Sequence, residues 1–299
     1  MRDKQSVYDA ITAKIIAAVE ANPGSPKMPW HRNPGKPLYM PSNALSKNAY
    51  RGINILSLWV TAESLGYSRP IWASYKQWAQ LGAQVRKGEK SALVIFYREF
   101  DIEVAADTPE DDGKRRMARG SYVFNADQVD GAPAPAEIPD LGPVARSAAF
   151  DAFVASTGAV VNRGGDRAFY RPATDEITMP DEGRFCGTGT MDRDESYMSV
   201  LAHELGHFSG AGHRLDRNFG KRFGDAAHVV EEITAELTAA LVCAELGIAS
   251  EPRADHAQYI AHYLKLLKSD NRAIFTAAAA AAKATDYLKG LARPAGEAV

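Results

Sequence analysis

Leu201-Ala202-His203-Glu204-Leu205-Gly206-His207-Phe208 is the stretch on which the reading of this chain turns. On an α-helix two histidines four positions apart lie one above the other on one face, so both imidazoles reach one metal ion. Glu204 projects to the adjacent side, where a carboxylate takes a proton from a water polarised by that ion and later returns it to a leaving amine. A catalytic zinc takes three protein ligands and keeps a fourth position open, so the stretch demands one more donor from elsewhere.

Two candidates supply it. His213 completes the spacing His203-x3-His207-x2-Gly210-x2-His213, the metzincin arrangement, which also needs a methionine turn downstream. The last methionine of this chain is Met198. Glu232, in the run Glu231-Glu232-Ile233-Thr234-Ala235-Glu236, is the preferred candidate. Glu236, one helical turn further on, is placed to accept a hydrogen bond from a ligand histidine and so orient it. Val230, Ile233, Leu237 and Leu241 form the apolar face of the same helix. Arg214-Leu215-Asp216-Arg217 reads as fixing the chain after the metal helix. Asp175-Glu176-Ile177-Thr178-Met179-Pro180 reads as an edge strand along which an extended substrate aligns.

Outward from this centre, 299 residues are more than one typical core and enough for two. Asp130 to Pro139 holds three prolines among small residues, the composition of a semi-rigid linker. The expected organisation is a nucleic-acid-binding domain over residues 1–129, a linker over 130–143, and a metallopeptidase-type domain over 144–299. The fold class is α+β: an α+β first domain, then a mainly helical domain with a small sheet. Apolar residues at every fourth position predict a helix from Val7 to Val19. A second runs from Ile53 to Leu65, ended by Gly66, and Ser74 caps a short third ending at Gly82. Ala92 to Tyr97 and Tyr122 to Phe124 read as paired strands, with Asp107 to Gly120 a charged mobile loop between them. A helix near Val144 to Ser156, short strands near Ala159, Ala168 and Glu176, and helices from Glu195 to Leu291 complete the prediction.

Net charge is -2, but residues 1–125 carry 18 basic against 12 acidic residues and the remainder 17 against 25. Residues 27–98 hold eleven basic residues and only Glu63 and Glu89 as acids, a polyanion's counterpart. All four tryptophans lie in the same segment. Lysine and arginine follow phosphates while unstacked bases lie on aromatic faces, so single-stranded nucleic acid fits better than duplex, whose base faces are hidden. Residues assigned to the strand are Trp30, Lys47, Tyr50, Arg51, Asn54, Trp72, Lys76, Gln77, Arg86, Lys87 and Lys90. Trp59, among Leu56, Leu58 and Val60, is assigned to the core, and Lys87-Gly88-Glu89-Lys90 to a turn with two ammonium groups at its rim. Charges at Arg2, Asp3, Lys4 and Asp9 argue against a secretory signal, and no membrane span is expected. Two distant cysteines, Cys186 and Cys243, fit a reducing cytoplasm.

Taken together the chain resembles the antirestriction protein ArdC family, and the N-terminal part of plasmid primases of the TraC type. The resemblance is carried by Asn43-Ala44, Tyr50-Arg51-Gly52-Ile53-Asn54, Trp72 to Gln77 and Val85 to Lys90. In the second half it is carried by His203 to His207, Arg214 to Arg217 and Glu231 to Glu236. It implies an N-terminal domain that binds single-stranded DNA, a C-terminal zincin-like metallopeptidase domain holding zinc, and protection of incoming DNA from host restriction during conjugation. His203, His207 and a glutamate of the Glu231 to Glu236 helix match the family's metal pattern, with His213 a fourth plausible donor. Two other functions fit parts of the chain. One is a strand-coating protein with a structural metal; the other is a signalling peptidase that cleaves a repressor, which leaves the basic segment without a role.

Overall fold

The computed structural model describes residues 6–21, 39–101, 114–134, 142–187, 191–222, 224–248 and 256–292. Helix α1 (Val7–Glu20) starts at Ser6, whose hydroxyl accepts from the Asp9 amide while the Asp9 carboxylate accepts from the Ser6 amide. Ile11, Ile15 and Val19 form its inner stripe, none more than 1% exposed. Strand β1 (Ser42–Asn43) leads to helix α2 (Ile53–Leu65), which Gly66 ends in the left-handed conformation at φ 71°, as its sequence predicts. Strand β2 (Ile71–Ala73) is followed by α3 (Tyr75–Gln80), with Ser74 and Gln77 closing a capping box.

Next come β3 (Gln84–Val85), β4 (Ala92–Asp101), β5 (Lys114–Asn125) and β6 (Val129–Asp130). They build a four-stranded sheet in the order β1-β2-β5-β4, and β3 pairs with β6 as a separate ribbon. Residues 114–120, expected in the charged loop, are instead the first half of β5. The β4–β5 ladder runs unbroken from Ala92↔Val123 to Asp101↔Lys114. An antiparallel pair with one solvated face accepts charged side chains, so composition alone did not exclude strand there. Residues 107–113 of that loop, and residues 135–141 of the linker segment, lie outside those described.

The second half opens with α4 (Pro143–Thr157) and strands β7 (Val160–Arg163), β8 (Phe169–Arg171) and β9 (Glu176–Met179). Their order is β7-β9-β8, so β9 is a central strand, parallel to β7 and antiparallel to β8. This corrects the reading of Asp175 to Pro180 as an edge: its backbone groups are taken on both sides and cannot align a peptide. Ile177 and Met179, both 0% exposed, show why the strand sits inside. Four helices follow, α5 (Arg193–Phe208), α6 (Ala226–Leu246), α7 (His256–Ser269) and α8 (Ala273–Leu291).

The largest apolar core joins Ile11, Leu58, Trp72 and Val94 to Ile233, Leu237, Tyr263 and Ile274, so it draws on both halves of the sequence. The Thr12 hydroxyl reinforces this by donating to the Asn271 carbonyl at 2.8 Å. A second core gathers Phe150, Ile177, Met198, Leu205 and Leu288 around Val242 and Cys243. Helix α6 therefore has one face in each core, and burial on two sides fixes its rotation and height.

Candidate metal centre and nucleic-acid surface

The metal helix α5 begins at Asp192, which accepts from the Glu195 amide at 2.7 Å, while Glu195 accepts from the Asp192 amide at 3.2 Å. Toward its other end, Gly206 lets it approach α6. A Cβ there would stand 2.9 Å from the Ala235 Cα, closer than packed atoms tolerate. The glycine between the two histidines thus sets how near the acidic residues of α6 come.

At this crossing Nε2 of His203 and Nε2 of His207 lie 3.2 Å apart. Glu232 Oε1 is 3.4 Å from the second nitrogen, and its Oε2 is 3.7 Å from the first. A tetrahedral ion with bonds of about 2.0–2.1 Å spaces its donors by roughly 3.3 Å; the two imidazole nitrogens match that spacing, and the Glu232 carboxylate brings one oxygen near each of them. Among the described residues this is the group of histidine and acidic side chains gathered closely enough to hold one. Burial works against a charge on His207, but hydrogen bonds to Glu231 and Glu232 outweigh it and push its pKa up to about 10. Burial likewise raises Glu232, yet its contacts with His207 hold it down to about 2. In electrostatic terms the cluster is a cation site. Glu204, 2% exposed on the same helix, adds its charge to that field.

The orientation of His207 comes from Glu231, which the sequence offered as a possible metal ligand and not as an orienting group. Its Nδ1 lies 3.1 Å from Glu231 Oε1, which turns Nε2 toward the cluster and would keep the proton on Nδ1 once a cation displaces the one on Nε2. Arg217 grips Glu231 in turn with two bonds of 2.8 Å, and also donates to the Gly206 carbonyl at 2.6 Å and the Ser209 hydroxyl at 2.9 Å. Gly210 makes the room, since a Cβ there would meet the guanidinium at 2.7 Å. Glu236 accepts from the Tyr263 hydroxyl at 3.3 Å, and for His207 the orienting carboxylate is Glu231. Replacing Arg217 with alanine is expected to weaken divalent-cation affinity about 10- to 100-fold by releasing Glu231, and lysine to restore part of it. Competitive titration with a chromogenic chelator reads both; equal affinities in all three proteins would remove Arg217 from the site.

His213 is drawn away from the triangle of His203, His207 and Glu232. Its Nε2 sits 3.3 Å from Asp175, and the side chain is 63% exposed. Arg214 holds the same carboxylate with two bonds of 2.7 Å and lies 3.4 Å over the Phe208 ring. Arg214 thereby fixes the chain after the metal helix, as its sequence position suggests, by tying it to the small sheet. Gly210, which completes the metzincin spacing, serves the Arg217 bond rather than a third histidine.

In the first half the basic candidates reach the surface and most of the others do not. Lys47, Lys76, Lys87 and Lys90 are exposed, Lys47 at a left-handed φ of 63°. Arg86 pairs with Glu89 at 3.1 Å, and Arg51 with Asp286 of α8. Trp72, expected to offer its face to a base, is 1% exposed between β1 and β5. Asn54 donates to the Ile95 carbonyl at 2.8 Å and accepts from the Ile95 amide at 2.7 Å, so its amide ties α2 to β4 rather than meeting a ligand. Tyr50 is 7% exposed; its hydroxyl and the Gln77 Oε1 accept from the Asn43 amide at 3.2 Å and 3.1 Å. Trp59 is core as read, 5% exposed. Trp30 lies outside the described residues.

The family model for zincin-like metallopeptidases matches residues 148–280, and that for the N-terminal domain of the anti-restriction factor ArdC matches residues 5–124. The metal-free crystal structure of the antirestriction ArdC protein from the R388 plasmid superposes with a TM-score of 0.76 at 37% identity, over 96% of this chain and 98% of that one. Its Mn(II)-bound form superposes at 0.73 and 35%, with the same coverage. The protein named y4eC of Sinorhizobium fredii is 46% identical over 94% of this chain and 91% of its own length. A DNA primase TraC of Escherichia coli is 34% identical over 96% of this chain, which spans 20% of that protein.

Proposed function

The chain belongs to the ArdC antirestriction family, and from that premise we propose that it protects incoming DNA from host restriction by binding single strands and carrying a divalent-metal peptidase site. The residues over 1–129 supply the nucleic-acid surface, those over 144–299 the metal site, and 130–143 joins them; the protein works in the cytoplasm during plasmid conjugation. His203, His207 and Glu232 hold a divalent cation, and three neutral-to-anionic donors with imidazole in the majority suit zinc. The ArdC crystal with Mn(II) is the relative that supports a divalent ion here. When bound, such an ion polarises a water and a scissile carbonyl. Glu204 then carries the proton from water to the leaving amine, and the Glu231–Arg217 pair holds His207 to its task.

The observation that carries this reading is the pair of imidazole nitrogens 3.2 Å apart, with the Glu232 oxygens 3.4 Å from one and 3.7 Å from the other and a buried carboxylate beside them, on a chain whose other half is basic. The test is conjugative transfer of a plasmid carrying unprotected restriction sites, with and without the gene, into restricting and non-restricting recipients. Loss of the gene is expected to depress transfer at least tenfold into the restricting recipient alone. Equal depression in both recipients, or none, ends the antirestriction reading. Exposures of 6% at His203 and 2% at Glu204 favour a second reading, in which the ion only stabilises the fold and the protein acts by coating the strand.

A further inference from the structure

Beside α2 and the β4–β5 ladder lies a groove of about 540 Å³, within the range of small-ligand sites. Its lining includes Asn43, Asn48, Tyr50, Gln77, Phe96 and Ser121. Asn43 ties Tyr50 and Gln77 together, which leaves the Gln77 amide nitrogen and the Asn48 and Ser121 side chains to face an occupant. Phe96 is 53% exposed on this wall, and among the described residues no other ring packs on it. Directly opposite in the ladder is Arg119, exposed and on the same face of the sheet. Lys47 and Lys76, also exposed, adjoin the lining residues Asn48 and Gln77 in sequence. Arg51 lines the groove too but is already paired with Asp286, so among the described residues Arg119, Lys47 and Lys76 are the basic groups offered to an anion.

We propose that this groove is a subsite for one unpaired nucleotide, its base stacked on Phe96 and edged by Asn48 and Gln77, its phosphate held by Arg119 with Lys47 and Lys76 at the rim. The inference rests on the reading of the first half as a single-strand binder and deepens it. An exposed phenyl ring in a strand gains nothing from water, but it matches any base face, and every base has one. A duplex keeps its base faces stacked and offers Phe96 no partner. The amide groups supply both donors and acceptors, which suits a groove that takes bases without strong sequence preference.

Fluorescence anisotropy of the full-length chain with a labelled oligothymidylate, and with a duplex of equal length, tests the subsite. Phe96→Ala is expected to weaken single-strand binding about tenfold or more with an unchanged salt slope, and Phe96→Trp to retain it. Arg119→Gln is expected to lower the slope of log affinity against log salt by about 0.7. Phe96 is on the surface, so the alanine variant should melt at the wild-type temperature, which separates lost stacking from lost folding. If wild type binds the strand and Phe96→Ala binds it equally well, the subsite is wrong and the single-strand reading survives. If wild type does not prefer the strand to the duplex, both fall.

Discussion

Replacing Glu232 with alanine is expected to lower divalent-cation affinity by more than about a hundredfold, beyond what loss of an outer hydrogen-bond partner costs. Two imidazoles 3.2 Å apart at Nε2 would remain, but the negative charge would be gone from the triangle. That charge is held in its ionised form by His207, and burial makes it strong because little water screens it. Glutamine, similar in shape but neutral, should fall between wild type and alanine. The chelator titration gives the affinities directly, and the rise in melting temperature on adding Zn(II) should shrink in step with them. His213→Ala is the control: with its imidazole on Asp175, affinity should stay within a few-fold of wild type. The reverse ranking, with His213 essential and Glu232 dispensable, would move the third ligand to the metzincin position.

The residues of this site differ in how visible they are from sequence. His203, Glu204 and His207 declare themselves because five residues of one helix fix their relation through backbone geometry alone. Glu232 follows from counting donors, since a helix with two ligands needs a third. Glu231 and Arg217 were named but their joint role was not, because it depends on a crossing that no local pattern records, in which Gly206 and Ala235 touch and bring α6 against α5. Given that contact, the adjacent acids of α6 divide the work: Glu232 faces both Nε2 atoms while Glu231 takes Nδ1 of His207.

In the basic half the same distinction explains the corrections. The caps at Gly66 and Ser74 are local and were legible. Trp72 sits in a stretch rich in turn residues, which reads as surface, and Asn54 is a polar residue at the start of a predicted helix. Strand order β1-β2-β5-β4 and the Asn54 clamp on Ile95 place them inside. Conversely Phe96, in an apolar run that reads as core, stands exposed because nothing described covers that end of the sheet face. The shared core of α1, α2, α6 and α8 was likewise out of reach, because its partners are separated by most of the chain.

Glu204→Gln separates the two readings of the metal centre. Glutamine keeps the length and shape of the side chain but cannot accept a proton. If the carboxylate shuttles a proton from water to a leaving amine, hydrolysis should fall by about 10²- to 10⁴-fold. Glu204 is not one of the three donors of the triangle, so the chelator titration should give wild-type affinity within a few-fold. Anisotropy with the oligothymidylate should be unchanged, because that groove is lined by residues of the first half. Digestion of casein in the presence of single-stranded DNA gives the chemical readout, and conjugative transfer into the restricting recipient gives the cellular one. Loss of both with metal and strand binding intact makes the centre a peptidase that antirestriction needs. Full protection by Glu204→Gln alongside failure of Glu232→Ala would instead make the ion a structural clamp between α5 and α6, because only the second variant removes what holds those helices together through the ion.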